Sequence, residues 1–419
     1  MATIKPFHSV TYNPSQVEDV ASVVTPPYDL INGEHRKKYY HSSPYNSIRL
    51  ILGLEGEDDH QEQNRFARAA RYWKHWLAQG VLQRAAQPAF YVYGQEFQLP
   101  WQGPCQRFGL VALLRLEEYD EKVVLPHEKT FPRPKAALTK LLGETHAHFS
   151  QIFCFYREGK DSIDDLLQKE ARREPFLEVK DEEGVIHRIW PIINPGLIAF
   201  LTAYFQDKQI FIADGHHRYE AALAYRRARR QKAHYPVDQP FDYLPVTLFS
   251  DRSPGLHILP THRLLAGSVA GERLLHQAAS TFEIEPLNGE RSPQSYLSLL
   301  ANRPKSFICY HRGRGHLLRW RSQVCPPGLA KYPPVCRQLD VALLHGALLD
   351  DVAPRALGFT QNVATALQLV DQGEYEAAFL MNPTSVEEVM EVALGGNTMP
   401  AKSTFFFPKL LSGLVMYSW

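Results

Sequence analysis

The sequence predicts an α/β protein whose strands form a mixed sheet. Two observations carry that prediction. Short runs of aromatic and branched residues alternate along the chain with stretches of helical periodicity, and one apolar run passes through a tight turn directly into a helix-forming segment. A third observation bounds it: there is no internal repeat and no low-complexity linker, so solenoids and tethered arrays are excluded.

The first 50 residues carry turn chemistry, with Thr25-Pro26-Pro27-Tyr28-Asp29 and Ser43-Pro44-Tyr45-Asn46 punctuating short apolar runs, and read as loops leaving strands. From Glu62 to Leu82, Phe66, Ala69, Ala70, Trp73, Trp76 and Leu77 recur at three- and four-residue steps, which predicts an amphipathic helix ending near Gly80. Strands are expected at Ala89–Phe97, Arg107–Leu116, Ser150–Tyr156, Ile189–Ile193, Gln209–Ala213 and Asp242–Phe249, all rich in branched or aromatic side chains. Tyr219 to Arg230 is a strong helix former. Beyond residue 266 the text reads helix, strand, helix to Leu300, then a hairpin from Lys305 to Trp320. A helix follows at Leu339–Leu349, and a βα pair is expected within Val363–Val392.

With 46 Lys+Arg, 45 Asp+Glu and a formal net charge of +1, the chain lacks the basic excess of a protein that coats nucleic acid or an anionic membrane. Its 44% hydrophobic residues are enough for a large core, and its length calls for two domains or one domain with a substantial appendage. Five scattered cysteines without CxxC spacing read as reduced, mostly buried thiols. The first residues lack a signal-peptide pattern and no apolar run reaches membrane-span length, so a cytoplasmic protein is expected.

Chemistry concentrates in Ile210-Phe211-Ile212-Ala213-Asp214-Gly215-His216-His217-Arg218-Tyr219-Glu220. Three potentially cationic side chains in the first turn of a helix oppose its dipole, which favours anions there by about 0.3–1 kcal/mol. A bound phosphate removes the conflict, because it accepts from the free N–H groups and pairs with Arg218. The competing readings are an Arg218 ion pair with Asp214 or Glu220, with neutral histidines, and a metal site using His216, His217 and Glu220 at helical spacing. Magnesium carried in by a nucleotide would take Asp214 as its ligand.

This stretch resembles the phosphate-binding strand, turn and helix of the ParB/sulfiredoxin superfamily. Five further segments resemble a bacterial and archaeal family of uncharacterised proteins sometimes labelled ParB-like. They are Val24–Asp29, Pro44–Leu50, His127–Thr130, Leu259–Arg263 and Met399–Thr404, the last running into Phe407-Pro408-Lys409. The resemblance implies a ParB/sulfiredoxin-like core with a C-terminal α/β extension. Residues 1–265 would form the nucleotide- and phosphate-binding domain, and 266–419 a second domain whose last segment is a candidate to return to the site. It implies nucleotide handling with ATP, ADP or CTP and Mg2+: CTP use in partition proteins, ATP-dependent sulfinic-acid phosphorylation in sulfiredoxin, and free-serine kinases with a similar core. Two departures narrow the choice. Sulfiredoxin needs a cysteine where this chain has His216, and no helix-turn-helix of a partition protein is visible.

Phosphoryl transfer also needs a base for the acceptor hydroxyl, and Glu128, beside His127, is the first candidate, with Asp214 and His217 as further catalytic groups. Lys402, Ser403 and Thr404 are candidate phosphate contacts, although the glycine-rich cradle of a Walker loop is missing. Tyr28, Asp29, Asn46, Arg49 and His127 are candidate substrate contacts. The basic cluster Arg226, Arg227, Arg229, Arg230 and Lys232 reads as a solvated helix end, where cations complement the dipole. The expected function is a nucleotide-dependent phosphotransferase acting on a small hydroxyl-bearing metabolite, a serine-like amino acid being the best example. The alternative is a nucleotide-binding regulator of the ParB-like type, and a zinc- or manganese-dependent hydrolase is the third reading. Expected partners are the nucleotide and the small substrate, with neither nucleic acid nor membrane. Homo-oligomer formation is left open.

Overall fold

A computed structural model describes all residues except 61, 100–101, 160–161, 268–270, 290 and 322–324. Residues 268–270 and 290, within the predicted helix–strand–helix stretch, thus lie outside the described residues. The chain is an α/β protein with mixed sheets. It divides into two compact units: Met1–Pro126, Thr130–His257 and Pro408–Trp419 form the first, and His127–Lys129 with Ile258–Phe407 form the second.

The first unit is built on a nine-stranded sheet. Its order is Val124–Leu125, Ile210–Asp214, Ile152–Tyr156, Tyr243–Ser250, Gly103–Arg115, Phe90–Leu99, Ile186–Ile192 and Leu177–Lys180, with Ile4–Lys5 pairing Gly103–Arg115 off this path. The Ile152–Tyr156 strand runs antiparallel to Ile210–Asp214 and parallel to Tyr243–Ser250, so the sheet is mixed at its centre. Every residue of Ile152–Tyr156 and Tyr243–Ser250 is buried, which is why these runs read as continuous apolar text.

The predicted aromatic helix is Arg65–Ala78, started by Asn64, whose side chain accepts from the Phe66 and Ala67 N–H groups. It buries Ala69, Ala70, Trp73 and Trp76. Several helices were not expected from the sequence: Gly33–Ser42, Ile48–Ile51, Pro132–Thr145, Asp164–Glu170 and Pro195–Tyr204. Gly33–Ser42 buries no residue and has no apolar stripe to betray it. Pro132–Thr145 begins with proline at its first position and packs against the helix that follows the 210–214 strand.

The second unit carries a six-stranded sheet in the order Phe282–Leu287, Arg314–Trp320, Ser306–His311, Ala377–Met381, His262–Leu265 and Leu357–Thr360. The 305–320 hairpin is present as expected. Two expectations change. The Leu339–Leu349 helix is an α-helix over Asp340–Leu344 that widens to a π-turn over His345–Leu349. The βα pair in 363–392 is a strand between two helices, Val363–Asp371 and Val386–Leu394. Four of the five cysteines are buried, Cys325 is exposed, and all are free. Among the described residues no helix is long and apolar enough to cross a membrane.

Candidate phosphate-binding site

The Ile210–Asp214 strand enters the site with Ile210, Phe211 and Ile212 fully buried, Phe211 stacking on Phe155 at 5.1 Å. Its register against Ile152–Tyr156 slips at Ala213, so Asp214 pairs with Phe153. Such a bulge re-aims the side chain at a strand end. Gly215 follows at φ +100° and caps the His216–Lys232 helix without a side-chain hydrogen bond. Glycine suits this position for two reasons. The backbone is left-handed, and a Cβ here would stand 2.8 Å from Arg218 Nη2 and 3.0 Å from Arg218 Nε.

Arg218 folds back over that glycine. Its Nη1 donates to Ser150 Oγ at 2.9 Å and to the Gln151 carbonyl at 2.8 Å, while Nη2 donates to Asp214 Oδ2 at 2.7 Å. Its side chain is 10% exposed, and Nε is buried without a partner. The other Asp214 oxygen, Oδ1, accepts from Lys409 Nζ at 2.5 Å. Asp214 and Lys409 side chains are 13% and 12% exposed. Burial pushes the Asp214 carboxyl up, but the charges of Lys409 and Arg218, the Lys409 hydrogen bond and His216 together hold it below the usual carboxylate range. A carboxylate so held is a poor proton acceptor near neutral pH.

His216 is buried. His217 turns toward the start of the Pro132–Thr145 helix: its Nε2 accepts from the Phe131 N–H at 2.9 Å and its ring stacks on Phe131. That nitrogen therefore carries no proton, and a phosphate would have to be met elsewhere on the ring. Glu220 Oε2 accepts from Thr130 Oγ1 at 2.6 Å and Lys135 Nζ at 3.2 Å. Among the described residues no group of three or more His, Cys, Asp or Glu is arranged to hold a metal ion, so the zinc and manganese reading has no ligand set. The residues present do not fit a protein-held magnesium ion either, because both oxygens of Asp214 face cationic groups.

Tyr28 is half-buried and lines a cavity of about 40 Å³ together with Arg218, Ser150 and His148. That space suits one or two waters rather than a nucleotide base. Burial, reinforced by Arg218, pushes the His148 imidazole down to about 3, so it is neutral at physiological pH. Asp29 is exposed. Asn46 is spent on its own loop: Nδ2 donates to the Ser22 carbonyl and Ser42 Oγ, and Oδ1 accepts from the Ile48 N–H. Arg49 stacks on Tyr40 and donates to the Tyr40 carbonyl. These contacts hold loops, and Arg49 Nη1 is buried without a partner. The basic helix end is ion-paired, Arg226 and Arg227 with Glu118, and Arg230 with Asp242.

The remaining candidates belong to the second unit. His127 is buried, and its Nε2 lies 2.9 Å from Thr404 Oγ1, so the structure does bring those two together. Glu128 is half-buried. Ser403 Oγ donates to the Pro400 carbonyl at 2.6 Å, and the exposed Lys402 sits at φ +58° with its carbonyl bonded to Arg263 Nη2 at 3.0 Å.

Sequence reasoning missed Lys409 as a site residue. Its only signal was membership of the Phe407-Pro408-Lys409 segment, 195 residues from Asp214.

The family model described as "Protein of unknown function (DUF1015)" matches residues 4–342. The chain belongs to that family. No curated protein matches the chain. Among solved structures, a mutant free serine kinase in complex with AMP is similar at 12% identity and a TM-score of 0.38, covering 72% of this chain and 90% of that one. A conserved hypothetical protein from Pyrococcus furiosus is similar at 11% identity and a TM-score of 0.34, over 72% and 93%. Truncated SbnI from Staphylococcus aureus is similar at 10% identity and a TM-score of 0.34, over 74% and 82%. Likenesses this remote assign neither activity nor residues.

Proposed function

We propose that this protein is a nucleotide-dependent phosphotransferase acting on a small hydroxyl-bearing metabolite, with the first unit as its phosphate-binding domain. One observation carries the reading: a buried guanidinium N–H, Arg218 Nε, has no partner and lies over Gly215, the glycine N-cap of the His216–Lys232 helix. The first N–H groups of such a helix and the positive end of its dipole favour an anion, and a phosphate oxygen supplies the acceptor Nε lacks. Asp214 orients Arg218 rather than holding metal. In the reaction the acceptor oxygen gains the terminal phosphoryl group and loses its proton, and the shortened nucleotide leaves. An amino acid such as serine is the acceptor class that the sequence resemblance names, and the cytoplasm is the proposed setting.

The test is phosphorus NMR on purified protein with magnesium and ATP, ADP or CTP, with and without pooled amino acids and sugars. Acceptor-dependent phosphoester formation is the expected outcome. Nucleotide binding with slow, acceptor-independent hydrolysis would turn the reading into that of a regulator, and no nucleotide binding at all would end it.

A further inference from the structure

We infer that the C-terminal segment Pro408–Trp419 is a strap whose seating assembles the Arg218 clamp, and that Tyr93, backed by His187 and Asp181, is the positioning residue that seats it. The strap thereby governs whether the proposed phosphate site is formed, a role that rests on the phosphotransferase reading above. All three acceptors that fix Arg218 are tied to the strap. Asp214 Oδ2 accepts from Arg218 Nη2, and Oδ1 of the same carboxylate accepts from Lys409 Nζ at 2.5 Å. Ser150 Oγ and the Gln151 carbonyl take the two Arg218 Nη1 bonds. Residues 147–151 are in turn bonded to the far end of the strap. The Gly413 N–H donates to the Phe149 carbonyl at 2.8 Å, Gln151 Nε2 donates to the Val415 carbonyl, and Tyr417 and Ser418 pair antiparallel with His148 and Ala147. The chain leaves this unit at His257 and returns to it at Pro408, so the strap is held here by these bonds and not by sequence neighbours.

A polar chain running from the strap into the sheet does the seating. The Leu411 N–H donates to Tyr93 Oη at 3.3 Å, and Tyr93 Oη lies 2.8 Å from His187 Nδ1. His187 Nε2 stands 3.0 Å from Asp181 Oδ2, a carboxylate oxygen that accepts. Nε2 therefore carries the ring proton, Nδ1 accepts from the Tyr93 hydroxyl, and the direction of every bond from Leu411 to Asp181 is set. Burial holds the His187 imidazole below its usual range against the pull of Asp181, the charge of Arg107 adding to it, so this neutral tautomer is the one present at neutral pH. Beside it, Gln95 Nε2 donates to the Lys409 carbonyl at 2.9 Å, while fully buried Arg107 donates to Gln95 Oε1 and to the Pro408 carbonyl. Tyr93→Phe keeps the buried ring and leaves the Leu411 N–H and His187 Nδ1 unmet.

Three measurements on the full chain test the strap in wild type, Tyr93→Phe, Lys409→Met and Leu167→Ala, the last a core truncation on the Asp164–Glu170 helix. They are deuterium exchange of the 408–419 peptide by mass spectrometry, NMR titration of the Asp214 carboxyl carbon, and calorimetric titration of inorganic pyrophosphate, with thermal melts ranking stability. Tyr93→Phe is expected to speed strap exchange at least tenfold and to weaken pyrophosphate at least threefold. It is also expected to move Asp214 up toward the ordinary carboxylate range, as Lys409→Met does. Leu167→Ala, which lowers Tm at least as far, is expected to leave all three readouts unchanged. Equal strap exchange in wild type and Tyr93→Phe would overturn the inference. So would faster exchange with Asp214 unmoved, or the same changes in Leu167→Ala, which would mark them as general loosening. A wild type that binds no pyrophosphate would end the phosphate reading of the site, while strap exchange and the Asp214 titration, which need no ligand, would still decide the strap's part.

Discussion

The two stretches that the sequence offered as phosphate contacts, Gly215–Arg218 and Lys402–Thr404, differ in how they spend their donors. In the second unit the hydroxyls and the nearby arginine are used up internally: Ser403 on the Pro400 carbonyl, Thr404 with His127, and buried Arg263 on the Thr261 and Lys402 carbonyls. In the first unit Asp214 gathers two cations, yet Arg218 keeps a buried N–H without a partner beside the glycine N-cap of the helix. The same residue types therefore make a loop clasp in one place and, on the proposed reading, an anion site in the other. What separates them is whether buried donors are already satisfied, since an unmet buried donor costs about 1–3 kcal/mol until something accepts from it.

The sharpest attempt to break that contrast is Arg218→Ala. It takes from Asp214 one of its two cationic partners, Lys409 remaining, and removes the clasp on Ser150 and Gln151; hydrogen bonds to a charged group are worth about 1.5–3 kcal/mol. Chemical denaturation should report a destabilisation of that size, together with loss of pyrophosphate binding. Gly215→Ala comes next. The left-handed backbone and the 2.8 Å approach of Arg218 Nη2 predict a cost of about 1–3 kcal/mol and weaker anion binding in the same assays. Thr404→Val should cost only about 1 kcal/mol, the worth of one hydrogen bond, and leave pyrophosphate affinity unchanged. If it abolished anion binding, the two regions would not differ as described.

The smallest effects lie in pH dependence, and they carry opposite signs. Burial raises the Asp214 pKa, but Lys409 and Arg218 outweigh it, so its folded value lies below the unfolded value of about 3.9. Its stabilising contribution is full above that value and is lost as pH falls below it. In the second unit, Asp340 is pushed up to about 6, mainly by burial, with the charge of Glu388 adding to it. Its contribution is full below about 3.9 and is lost as pH rises through 6. Melting curves from pH 3 to 8 should show Asp214→Asn flattening the limb below about pH 4 and Asp340→Asn flattening the limb between about pH 4 and 6.

Much of this was legible from residue patterns. The Arg65–Ala78 helix, the central strands and the turn into His216 all advertise themselves by spacing, because each buries one face or both. The Gly33–Ser42 helix does not, since it buries nothing. Pro132–Thr145 could have been found from its proline start and the spacing of Leu138, Leu141 and Leu142. At the site, the sequence offered both an Arg218–Asp214 pair and an Arg218–phosphate contact; the guanidinium makes the first, and its buried Nε–H is without a partner. Asn46 was unreadable in another sense, because Asn suits a loop-closing side chain as well as a ligand contact, and here it closes a loop. Lys409 was unreadable for a third reason: no local spacing connects it to Asp214, and only the path of the final segment brings it there.

The central claim is that a phosphate sits at the start of the His216–Lys232 helix. Titrating ADP into isotopically labelled protein and following backbone amide shifts tests it most directly. The largest shifts are predicted at the amides of His216, His217 and Arg218, with the Arg218 Nε–H signal moving downfield as it gains an acceptor. ADP binding that leaves these amides and that Nε–H unmoved would contradict the account.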